Sequence, residues 1–87
     1  MSNIDVQTLG NAAEAVLDNV AFKEAMEEIE AQTIELWANG AFKSPDEREQ
    51  AFALVRGART LKQRLRAKLE AAKLNKAQAE RRAELRR

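Results

Sequence analysis

The only proline of the chain, Pro45, sits in Ser44-Pro45-Asp46-Glu47, and none of the 42 residues after it is a proline. That tetrapeptide dictates a helix start. A serine hydroxyl at the N-cap accepts a backbone N–H, and proline at N1 gives up only an N–H that would lack a partner anyway. Asp46 complements the positive end of the helix dipole, and Glu47 at N3 completes a capping box. Downstream, Ala51, Leu54, Ala58, Leu61, Leu65, Leu69 and Ala72 recur at spacings of three and four, which is one face of a helix. Gly57 lies beside this seam, where a small residue lets another backbone come close. The helix is predicted to run on toward the C-terminus, with residues 75–87 fraying.

The preceding sequence predicts two shorter helices. Within residues 5–18, Val6, Leu9, Ala13, Val16 and Leu17 fall at helical spacing, although Gly10 costs about 1 kcal/mol there relative to alanine. Asn19 reads as a fresh N-cap. Phe22, Met26, Ile29, Thr33 and the pair Leu36 and Trp37 then form a narrow seam, with Glu24, Glu27, Glu28 and Glu35 opposite. Asn39-Gly40 suits a left-handed stop. The expected fold is all-α: a short N-terminal helix in residues 1–18, a coiled-coil-like antiparallel hairpin over 19–72, and a basic helical or frayed tail over 73–87. At 1.5 Å per residue, residues 20–39 span about 30 Å and 45–83 nearly 60 Å, so the last helix overhangs its partner beyond about Leu69. A two-helix seam stays open on one side, and a small domain without a staple is marginal. Self-association through Phe22, Met26, Ile29, Leu61, Leu65 and Leu69 is the expected remedy.

Charge divides along the chain. Residues 1–55 hold three cations against eleven carboxylates, a net of −8, and residues 56–87 hold twelve cations against three carboxylates, a net of +9. Such asymmetry bears on partners. Arg59, Lys62, Arg66 and Lys73 share a stripe beside the seam, where they face Glu30 and its neighbours within a chain or between subunits. Together with Arg56, Lys76, Arg81 and Arg82 they form the footprint of the alternative partner, a nucleic acid held through its phosphates. No aromatic residue follows Phe52, so that binding is blind to sequence.

Chemistry is sparsely represented. The chain has no cysteine, histidine or tyrosine, so thiolate sites and the commonest general base are absent. Glu24, Glu27 and Glu28 read as a solvated helix back rather than a metal cluster, and the scattered serines and threonines have no base beside them. The expectation is a protein that is not an enzyme and that has no catalytic, cofactor or metal residues. The longest apolar run, Ala51–Val55, falls far short of the roughly 20 residues that span a bilayer, and Met1–Asp5 carries no secretory pattern. No membrane partner and a cytoplasmic setting are expected. Trp37 and Phe42 flank the turn near Phe52, as a cluster closing the hairpin end or, through Trp37, as an anchor for a partner.

The runs Asn19-Val20-Ala21-Phe22, Trp37, Asp46-Glu47-Arg48-Glu49 and Leu61-Lys62-Gln63-Arg64-Leu65 resemble a group of small helical proteins of tailed bacteriophages and prophages. The likeness covers about residues 19–72. Val20 stands where that group has proline, and Phe52 where it has tryptophan. The resemblance implies an accessory or morphogenesis-associated role in virion assembly, in the bacterial host cytoplasm or on the virion. It supplies no catalytic residue. A phage inhibitor of a host protein, with the acidic helix of residues 22–37 mimicking nucleic-acid charge, is the third reading.

Overall fold

The computed structural model describes residues 5–40 and 42–86, which form three helices: α1 (Val6–Leu17), α2 (Val20–Ala38) and α3 (Pro45–Leu85). The expectations for residues 1–4 and for Arg87 lie outside the described residues. The all-α class holds, and the described residues contain no strand.

Each helix begins where a side-chain oxygen meets an unpaired backbone donor. Asp5 Oδ1 accepts from the Thr8 N–H at 2.8 Å, Asn19 Oδ1 from Phe22 at 3.0 Å, and Ser44 Oγ from Glu47 at 3.1 Å. The α2 helix stops at Asn39, and Gly40 follows at φ +60°, in the left-handed region that glycine enters without a Cβ penalty. Only Asp18 and Asn19 separate α1 from α2. The 41-residue α3 is helical through Leu85, and Lys, Ala, Gln, Glu and Arg, which make up much of residues 76–85, are strong helix formers.

The molecule is long and thin, with extents of 66 × 26 × 19 Å and a radius of gyration of 18.8 Å. A compact chain of this length would have a radius near about 12 Å. Contacts between helices fall in reversed order along α3: Gly10 lies on Ala72, Glu30 on Arg59, and the Phe42 ring 6.4 Å from that of Phe52. The α1 and α2 helices thus follow one another down the flank of α3.

The closest helix pair is α1 with α3, not α2 with α3. A Cβ on Gly10 would overlap the Ala72 Cβ and come within 2.9 Å of the Lys68 carbonyl oxygen. The two backbones therefore touch, and Ala13 and Ala72 are each only 2% exposed. The predicted roles of two glycines are thereby exchanged. Gly10 is the point of close approach, whereas Gly57 has nothing within 4 Å of where its Cβ would stand.

Candidate interaction surface

The α2–α3 contact is built from larger side chains and closes less well. Phe22, Met26 and Ile29 of α2 are half-buried, as are Ala51, Ala58, Leu65 and Leu69 of α3, while Thr33 and Val55 are buried. The Thr33 hydroxyl is satisfied by donating to the Ile29 carbonyl at 3.0 Å. Between the two helices, where Leu17 of α1 also reaches, lies an open cleft of about 550 Å³ floored by Leu17, Phe22, Met26, Ala58 and Leu69. Five of the six residues predicted to carry self-association (Phe22, Met26, Ile29, Leu65 and Leu69) thus face the interior of one chain, partly covered. The sixth, Leu61, is 50% exposed, and Leu54 of the same predicted seam is 58% exposed. Val55, which the seam omitted, points inward in their place. It follows Leu54 by one residue, about 100° further around the helix.

One ion pair spans the helices among the described residues. Arg59 Nε donates to Glu30 Oε1 at 2.6 Å on the rim of the cleft. The Arg59 hydrogen bond, and then its charge, hold the Glu30 carboxyl below its ordinary value of 4.5, and the Lys62 charge adds to them. Asp5 is likewise held low, first by the Thr8 backbone N–H at the α1 cap. Arg66 and Lys62 line the cleft beside Arg59, and Lys73 Nζ stands 3.6 Å from Glu70 Oε1 along α3. At about 100° per residue, Arg59, Lys62, Arg66 and Lys73 fall within about 60° on one edge of α3, Arg56, Arg81 and Lys76 widen that edge by about 40–60° on either side, and Arg82 lies nearly opposite. The predicted basic footprint is therefore one broad face of seven cations, with Arg82 outside it. No three potential metal ligands converge among the described residues, and no described helix is long and apolar enough to cross a membrane.

Trp37 is 63% exposed and lines a shallow depression of about 390 Å³ with Phe42, Pro45 and Arg48 at the turn. The tilted Phe42–Phe52 pair closes that end of the molecule without burying the indole. Comparison with known protein families, with curated proteins and with solved structures gave no match.

Proposed function

We propose that this chain is a non-enzymatic structural or interaction protein that assembles with itself, with α2 and α3 as the arms of an antiparallel hairpin. One observation carries the reading. The chain exposes 7217 Å², and no large side chain among the described residues is fully buried. A compact monomer of 9.8 kDa would expose about 5,200 Å². The excess of about 2,000 Å² exceeds the roughly 800 Å² per partner that a stable protein interface covers. The reversed order of the interhelical contacts favours the hairpin. The resemblance of residues 19–72 to small phage proteins makes a virion-assembly setting in a bacterial host the biological context of this reading.

Light scattering over a concentration series tests it. The mean mass is expected to rise above 9.8 kDa at micromolar concentrations. A chain that stays monomeric at high micromolar concentration and still melts cooperatively would refute the proposal. A second reading, phosphate binding, draws on the exposed cations of α3 from Arg56 to Arg82. Counterion release would make its affinity fall steeply with salt, and absence of DNA or RNA retention at about 50 mM salt would dispose of it.

A further inference from the structure

The face of α3 that α1 covers at one end is open at the other. Leu54 and Ala72 are 18 residues apart, which is five full turns, so they lie on the same side of the helix. Ala72 is 2% exposed beneath Gly10, whereas Leu54 is 58% exposed and Leu61, between them, is 50% exposed. Leu36 of α2, 38% exposed, lies beside this strip. The Glu30–Arg59 pair marks one edge of the α2–α3 contact. Leu36 stands about 120° around α2 from Glu30, and Leu54 and Leu61 about 140° and 160° around α3 from Arg59. The three leucines therefore share the opposite edge, away from the ion pair.

The charges flanking that edge have opposite signs on the two helices. Glu28 and Glu35 flank Leu36 on α2, and Arg64 and Lys68 flank Leu61 on α3. All four are exposed. Over its whole length α2 carries five carboxylates against Lys23, and the stretch 56–73 of α3 carries seven cations against Glu70. Only Glu30–Arg59 joins the two sets within the chain among the described residues.

We propose that a second copy of the chain docks on the Leu36–Leu54–Leu61 edge in a two-fold arrangement that lays the acidic α2 of each copy against the basic α3 of the other. This rests on the self-association proposed above and specifies its surface. A two-fold axis makes the patch self-complementary. The charges choose between the two ways of pairing the four helices, because α2 on α2 would oppose carboxylates and α3 on α3 would oppose cations. The inward seam is then completed by the partner's helices, and the apolar strip leaves water.

Sedimentation equilibrium of the full chain and three variants tests both levels. Leu54→Gln with Leu61→Gln keeps good helix formers at exposed positions and should weaken dimerisation on the order of 100-fold, with helicity by circular dichroism unchanged. Glu28→Lys with Glu35→Lys should stay monomeric where the wild type pairs, and so should Arg64→Glu with Lys68→Glu. Mixed together, those two charge-reversed chains should form a heterodimer, since each α2–α3 contact then joins opposite signs. A wild type that never associates overturns the self-association itself. A wild type that associates while the double-glutamine variant, still helical, keeps its mass overturns the surface alone. Charge-reversed chains that show no preference for each other overturn the pairing of α2 with α3.

Discussion

Two stretches of α3 are covered by different means, and beyond Ala72 its described residues are exposed. Toward its C-terminal half, α1 brings Gly10 and Ala13 against Ala72, and these small residues let the backbones meet and shut out water with little apolar mass. Toward its N-terminal half, α2 brings Phe22, Met26 and Ile29 against Leu65, Leu69 and Ala58, and the larger side chains leave a cleft of about 550 Å³. Interaxial distance follows the side chains at the contact. Small residues close a two-helix contact completely, whereas a seam of large ones needs helices on more than one side. The short helix is thus the better docked, and the long acidic one is left needing company.

The sharpest way to break this contrast is to give Gly10 a side chain. Gly10→Val improves intrinsic helix propensity, yet its Cβ would meet Ala72 and the Lys68 carbonyl, and backbone cannot step aside as a flexible side chain can. Overpacking of this kind costs roughly 1–3 kcal/mol, and for a domain of this size each kcal/mol lowers Tm by about 4–8 °C. Urea and thermal melts should register the loss. Gly57→Ala is the mirror test. With open space around it, an alanine there should raise stability by up to about 1 kcal/mol at concentrations where the chain is monomeric. If Gly10→Val raised Tm as Gly57→Ala is expected to, Gly10 would not be the point of close approach.

Leu65→Ala probes the looser contact. A fully packed leucine truncated to alanine costs roughly 2–5 kcal/mol, and Leu65 is only half-buried, so about 1–3 kcal/mol is expected. An equal loss from Leu61→Ala under monomeric conditions would put Leu61 inside the chain. Ser44→Ala should cost about 1 kcal/mol by removing the acceptor of the Glu47 N–H, and helicity should fall first in the opening turn of α3.

Helix boundaries were legible because caps are local chemistry. Asp5, Asn19 and Ser44 each present a short oxygen to a donor three residues on, and Gly40 reports its own backbone conformation. Which residues face inward was less legible. A seam of threes and fours covers a broad arc of a straight helix: at about 100° per residue Leu54 and Leu61 lie about 60° and 80° to one side of Ala51 and Leu69, and Val55 about 40° to the other. The buried face is narrower than that arc. Leu54 and Leu61 fall off it and Val55 comes in. The Gly10–Ala72 contact joins residues 62 apart in sequence. Its only trace was the spacing of two small residues, Gly10 and Ala13, on the inner face of α1, where glycine reads first as a weakness. The cation face was legible in most of its members: Arg59 does reach Glu30, and of the eight cations only Arg82 lies on the far side of α3.

The smallest effect expected is at the ion pair that fastens α2 to α3 across the cleft. Glu30 is held below 4.5 by Arg59 in the folded chain, so between the folded and ordinary values the unfolded chain binds more protons. Its contribution is therefore fully present above the ordinary glutamate range and is lost as pH falls through the lowered value. Both partners are well exposed, at 63% and 40% of their side-chain surface, and water and salt screen the pair heavily. Glu30→Gln should melt slightly below the wild type at neutral pH. The gap should close on acidification and should also shrink near 1 M salt, where the Debye length is about 3 Å. Asp5 loses its own contribution in the same direction, but that loss is common to both chains and cancels in the difference. A gap that survived at low pH would mean that the deficit of Glu30→Gln does not come from the charge of the carboxylate. The α2–α3 contact would then be less dependent on charge than its open cleft implies.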